Sequence, residues 1–208
     1  MPTSLLALSP LIVSHVWEVH GELDRPIRVL DVGPGFGRYG LLCRELVDGI
    51  DRGTRIERLD AIEAEPRYRA LFPWLEVIYD LVVDADVTDP NLALRSEVAA
   101  AEDIRGPAFQ EAGGNFFSGY DLVLMLDVIE HLEHDAALEL LDHIDGRVLL
   151  STPRDYFDNP EADAGWETER HRSHFPDAAS FRQPDRLERV EVDASLNYGA
   201  NIVRLGPK

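Results

Sequence analysis

Asp31 and the glycines behind it have the spacing of a ligand-binding turn. The segment 28–40 reads RVLDVGPGFGRYG, an apolar run that closes on Asp31 and continues into Gly33, Gly35, Gly37 and Gly40. Glycines at this density let the backbone turn sharply and approach a ligand with no Cβ in the way. The helix pattern that follows aims unpaired N–H groups at whatever sits above the strand end. Such a loop suits a nucleotide-type cofactor, and Asp31 narrows the kind. A carboxylate beside the loop repels a pyrophosphate but attracts an amino group or a sulfonium. Spacing alone leaves two readings open, because Gly35, Gly37 and Gly40 also satisfy the dinucleotide pattern G-x-G-x-x-G.

Three further groups carry chemistry. Glu63 closes the apolar run 56–62, and Asp84 and Asp86 follow the run 81–83. The segment 120–132, YDLVLMLDVIEHL, drives an apolar run through Leu126 into Asp127, Glu130 and His131. Later, 166–175 reads WETERHRSHF and places His171 and His174 among arginines and aromatics. Histidine near neutral pH can take a proton from a hydroxyl or an amine.

Asp31 with Gly33, Gly35 and Gly37 resembles motif I of the class I S-adenosylmethionine (SAM) methyltransferases, and DVIEHL at 127–132 resembles their block after strand four. The likeness runs from about residue 27 to 175 and is weakest between 88 and 119. It implies a Rossmann-like three-layer α/β sandwich, with a mainly parallel seven-stranded sheet ending in an antiparallel hairpin. It also implies SAM as cofactor and transfer of its methyl group. By this resemblance Asp31 and the loop glycines contact SAM, Glu63 takes the ribose hydroxyls, and Asp86, rather than Asp84, meets the adenine amine. Leu126 and Asp127 then lie by the methionine part. His131, His171 and His174 are the groups expected to orient or deprotonate the acceptor. Related quinone-precursor O-methyltransferases carry an acid-x-x-Glu-His arrangement with a divalent metal. Asp127, Glu130 and His131 match it, but metal-free relatives show the same Glu-His pair, so hydrogen bonds that fix the site are the preferred reading. Two other classes stay open: a nicotinamide-dependent oxidoreductase, which leaves DVIEH unexplained, and a non-catalytic SAM-binding protein of the same fold.

Alternating strand and helix signals are expected to position these residues, as in an α/β fold with a parallel sheet. Strands are expected at 27–30, 56–62, 81–83, 122–126 and 148–150, and a closing hairpin at 187–192 and 201–205 around a turn at 197–199. Ser9-Pro10 reads as an N-cap followed by proline at the first helical position. It opens a helix over about 9–20 whose inner face holds Ile12, Val13, Val16, Trp17 and His20. After the glycines, Leu41, Leu42, Leu46 and Val47 recur at helical spacing. Pro66 opens another helix, and 136–144 gives one more. An insert at about 88–119, with a helix expected at 92–103, exceeds a minimal connection and reads equally as an acceptor lid or as inert surface elaboration.

A chain of 208 residues is read as one domain spanning 1–208. Cys43 is its only cysteine, which fits a reducing compartment and a buried apolar role. The formal charge is −19, and Lys208 is the only lysine. That balance argues against a nucleic-acid substrate and against anionic membranes, and favours a small-molecule acceptor. The N-terminus has no basic leader and no bilayer-length apolar stretch, so the cytoplasm is the expected location. The number of copies in an assembly is not legible.

Overall fold

The computed structural model describes residues 8–49, 53–89, 91–92, 115–155, 165–193 and 200–208. Most of the 88–119 insert, including the helix expected in it, and the turn at 197–199 lie outside them. The strands are β1 (Ile27–Val32), β2 (Ile56–Glu63), β3 (Leu81–Asp84), β4 (Leu122–Leu126), β5 (Arg147–Pro153), β6 (Leu187–Asp193) and β7 (Ala200–Leu205). They form one sheet in the order β3-β2-β1-β4-β5-β7-β6. The first five pair in parallel, while β7 runs antiparallel to both β5 and β6. The expected three-layer α/β architecture with its closing hairpin is what the chain adopts.

Side chains alternate across the sheet. Ile27, Val29, Leu124 and Leu149 pack on one face with Ile12, Val16 and Val19 of α1 (Ser9–Leu23), and with Leu75 and Ile78 of α3 (Phe72–Ile78). Leu30, Val123, Met125 and Leu150 pack on the other face with Leu138 and Leu141 of α4 (His134–His143) and with Phe175 and Phe181. All of β4 is buried, as a strand covered on both faces must be. Strand β1 sits between β2 and β4, and the chain leaves it in one direction and returns on its other side. A crevice therefore opens above the C-terminal ends of β1 and β4, the usual ligand position in such sheets.

Helix α1 departs from expectation in two ways. It begins at Ser9 itself, with Leu8 in the capping position and no side-chain cap, although Pro10 does occupy the first turn. A missing cap costs about 1 kcal/mol, while burying Ile12 and Val16 completely returns about 1.5–3 kcal/mol each. Packing wins over capping here. Its inner face holds Ile12, His15, Val16 and Val19, whereas Trp17 is 40% exposed. Trp17 lies at the edge, with the Arg55 guanidinium 4.9 Å over its ring and the His20 ring 6.0 Å away.

After the glycines, α2 (Arg38–Leu42) passes into a π-helical turn at Cys43–Asp48. The wider turn rotates the later residues about the axis. Leu41 and Leu46 face solvent, and Cys43, Arg44, Val47 and Asp48 turn inward. The buried charges are satisfied: Arg44 binds Asp48 at 2.9 Å, Asp80 at 2.6 Å and the Ile78 carbonyl at 3.1 Å. Cys43 is buried as expected, and burial raises its thiol pKa to about 12, which leaves it inert at neutral pH.

Candidate functional site

The loop between β1 and α2 is built by its glycines. Gly33, Gly35 and Gly37 all take positive φ, at 67°, 54° and 76°. Gly33 N–H donates to the Ile62 carbonyl at 2.9 Å, which ties the loop to the end of β2. A Cβ on Gly33 would lie 2.7 Å from Val128, and one on Gly37 would lie 2.8 Å from Leu75 and 2.9 Å from Ile78. Gly40 has a different reason to be glycine. A Cβ there would fall 2.3 Å from the Tyr79 ring, so the third glycine of the dinucleotide-like spacing serves helix packing.

Tyr79 also accounts for Asp31. Strand β1 continues to Val32, so Asp31 lies within it, 2% exposed, and accepts a 2.5 Å hydrogen bond from the Tyr79 hydroxyl. Burial raises its carboxyl to a pKa of about 7, and the Tyr79 hydrogen bond opposes the rise. Its charge acts on the loop from beneath. Glu63 meets the loop directly: it accepts from Gly35 N–H at 3.2 Å and from Glu65 N–H at 2.8 Å. Burial raises it to about 7 as well, against the pull of these backbone donors. Each carboxylate oxygen has two lone pairs, so Glu63 keeps acceptor capacity for a ligand hydroxyl. Asp86 is exposed after β3 and holds a turn, accepting from Thr88 N–H at 2.8 Å and from Thr88 Oγ1 at 2.7 Å. The competing acid Asp84 is taken by Arg69, at 2.5 and 3.2 Å.

Beyond β1, Leu126 ends β4 buried, and Asp127 follows in a left-handed conformation at φ 55°. For a residue with a Cβ this geometry is uncommon and often marks a site. Ser151 of β5 holds it in place: its carbonyl and Oγ accept from Asp127 N–H at 3.0 and 3.1 Å, and its hydroxyl donates to Asp127 Oδ1 at 2.7 Å. Glu130 is 3% exposed, and its Oε2 has no hydrogen-bond partner. Burial, then the charge of Asp127, raises its pKa well above the usual carboxylate range. His131 lies beside His171 with ring centroids 5.0 Å apart. Burial, then His171, lowers the His131 pKa to about 4, so the ring is neutral at physiological pH.

The segment 165–175 lies across this end of the molecule as a strap. At one end, Arg172 and Ser173 N–H donate to the Glu130 carbonyl at 2.8 and 3.1 Å, and Ser173 Oγ donates to the Ile129 carbonyl at 3.1 Å. At the other, the Thr168 hydroxyl binds Glu65, and Arg67 donates to the Gly165 carbonyl at 2.6 Å. The Trp166 ring meets Tyr68 at 5.7 Å and the Arg67 guanidinium at 4.4 Å. These anchors follow β4 and β2, which flank β1, so the strap bridges the strand ends on either side of the glycine loop. It delivers His171 to Glu130 and His131. His174 is held elsewhere, its Nε2 2.6 Å from the Arg154 carbonyl.

Tyr79, Ser151, Glu65, Tyr68 and Thr168 do not stand out in the sequence. Their roles depend on contacts between distant segments, as with Tyr79 and Asp31, 48 positions apart. The one local signal is Glu65 before Pro66, an acid ahead of a helix-starting proline; its side chain does accept from Arg67 N–H at 3.0 Å.

A family model described as a methyltransferase domain matches residues 11–190. Among solved structures, monomeric WbdD aligns with a TM-score of 0.56 at 16% identity, over 97% of this chain and 42% of its own. The N-methyltransferase NodS from Bradyrhizobium japonicum WM9, in complex with S-adenosyl-L-homocysteine (SAH), aligns with a TM-score of 0.51 at 13% identity, over 94% and 85%. PigF with SAH aligns with a TM-score of 0.50 at 18% identity, over 97% and 55%. The chain thus spans less than half the length of the first of these. None of the curated proteins compared with it matches.

Proposed function

Because the chain belongs to the methyltransferase-domain family of class I SAM-dependent enzymes, we propose that it carries the methyl group of SAM to a small-molecule acceptor under the strap. The observation that carries this reading is the contact of Glu63 with Gly35 N–H, which joins the acid that ends β2 and the glycine loop in one site.

The residues present fit the family's cofactor. Three loop glycines occupy left-handed conformations that other residues rarely adopt, Glu63 retains lone pairs, and the buried Tyr68 hydroxyl lacks a partner. Glu63 would accept from the ribose hydroxyls, the loop N–H groups and the backbone of Leu126 and Asp127 would hold the methionine part, and Asp86 would meet the adenine amine. Asp31 would favour the cationic end of the ligand from below. SAM supplies a methyl group already activated on a sulfonium. The protein's task is then alignment, and effective molarities of about 10⁵–10⁸ M are available from it. Glu130, His131 and His171 would orient the acceptor and ease loss of its proton, and His174 would position the strap through Arg154. The charge of −19 supports an acceptor other than nucleic acid.

The test is incubation of the purified chain with methyl-labelled SAM and a metabolite extract. Label should appear in small molecules. Tight SAM binding with no transfer to any fraction would instead make the chain a cofactor-binding protein of this fold.

A further inference from the structure

The turn after β4 and the strap bring three metal-type donors to one point. Glu130, His131 and His171 each offer an atom, one carboxylate oxygen and two imidazole nitrogens, and all three lie within 4.8 Å of one another. Glu130 supplies the independent sign that something is missing. It is 3% exposed, and Oε2 is buried with no partner at hydrogen-bond geometry; the buried Thr152 hydroxyl, itself unpaired, is the neighbour that favours its charge. Buried polar atoms are almost always paired, so an orphan of this kind calls for a ligand. His131 is oriented as a metal-binding imidazole usually is, with Nδ1 3.4 Å from the Arg170 carbonyl, so its other nitrogen can turn to an ion. The strap is fixed on both sides of His171, by Thr168 on Glu65 and by Ser173 on Ile129, which limits how far that donor can stray.

We propose that Glu130, His131 and His171 bind one divalent transition-metal ion. The donor set differs from the Asp127, Glu130 and His131 grouping that the local spacing matches. Asp127 is turned to Ser151, and His171, 44 positions further on, takes its place. That exchange changes the metal. Two imidazoles and one carboxylate suit zinc or cobalt, whereas magnesium takes oxygen donors. Donors in a tetrahedral zinc site lie about 3.3 Å apart, so the three need only a modest inward shift. Three protein donors leave a coordination position open, as catalytic rather than structural zinc sites do. The inference places the ion at the acceptor end of the proposed methyltransferase site and rests on that reading only for its location. With an ion bound, His131 and His171 serve as ligands rather than as proton acceptors.

The full chain, stripped with a chelator and dialysed, is titrated with zinc by calorimetry and with cobalt by absorption. One ion per chain is expected, with cobalt giving the intense visible bands of a low-coordinate site. Loss of even a partner that merely orients a ligand costs 10–100-fold in metal affinity, so His171→Ala and Glu130→Gln should each weaken binding by at least about 100-fold. His143→Ala, on α4 and outside the strap, should leave it within about twofold. Absence of stoichiometric binding by the unmutated chain would overturn the proposal and needs no variant. Binding that survives His171→Ala and His131→Ala unchanged would overturn it too. The same samples are melted with and without SAH. A normal SAH shift without ion binding sinks this inference alone, while loss of both sinks the methyltransferase reading as well.

Discussion

At the scale of single residues, the site is governed by carboxylates that burial keeps near neutrality. Glu63 has its pKa raised to about 7, and a ribose hydroxyl prefers to donate to the ionised form. Ligand binding should therefore expel a proton, and SAH affinity should fall as the pH drops below about 7, by at most tenfold per unit. Calorimetry between about pH 5.5 and 8 measures this, and a flat profile would remove Glu63 from the ribose. Glu63→Gln should weaken SAH by about 1.5–3 kcal/mol, or 10–150-fold, and blunt the pH dependence. Asp31 obeys the same rule in stability. Its raised pKa means that its favourable contribution is complete below about pH 4 and is lost as pH rises through about 7. Tyr79→Phe removes the donor that eases ionisation, so its cost should grow with pH. It should be about 1 kcal/mol at pH 5.5, the worth of a neutral hydrogen bond, and about 1.5–3 kcal/mol at pH 8.5. Denaturant melts at the two pH values decide this, and equal costs would mean that Asp31 titrates elsewhere. On the acceptor side, His171→Ala should leave SAH affinity unchanged and lower turnover, by about 10²–10⁴ where the imidazole itself takes the proton, and a loss that added zinc reduces would assign it to the ion instead.

At the scale of elements, most of the fold was legible in the sequence, because strands buried on both faces leave long apolar runs and the acids at their ends mark the ligand side. Glu63, Asp127, Glu130 and His131 could be found in that way. Errors arose where an amphipathic side chain or an irregular helix broke the periodicity. Trp17 and His20 count as apolar in a helical pattern, yet an indole can rest at an edge under Arg55. Leu46 was displaced by the π-helical turn, which shifts every later residue around the axis, while Leu41, ahead of that turn, simply faces solvent. The meeting of His171 with Glu130 was illegible because the path of a strap sets it and no period records that path. Gly40 shows what such hidden contacts demand. Gly40→Ala should overpack the Tyr79 ring at a cost of about 1–3 kcal/mol, lowering the melting temperature by roughly 2–12 °C for a chain of this size. Tyr79→Leu in the same chain should recover part of the loss, a coupling that simple addition of the single effects would miss.

At the scale of the whole molecule, ligand binding and stability are linked. At about 100 times its dissociation constant, SAH should add about 2.7 kcal/mol and raise the melting temperature by roughly 5–11 °C. NAD and NADP should do nearly nothing, and a shift with NAD alone would refute the assignment. The strap carries a further consequence, for the order of events in time. Its anchors at Glu65, Arg67 and Glu130 tie down both sides of the crevice. On the proposed reading the strap closes over the spent cofactor, whose release then waits on some of these tethers parting, and segment openings of this kind take microseconds to milliseconds. The first methyl transfer should thus outrun those that follow. Rapid-quench kinetics should show a pre-steady-state burst with an amplitude near the enzyme concentration, and Thr168→Val, which cuts one tether, should speed the later phase and leave the burst rate as it was.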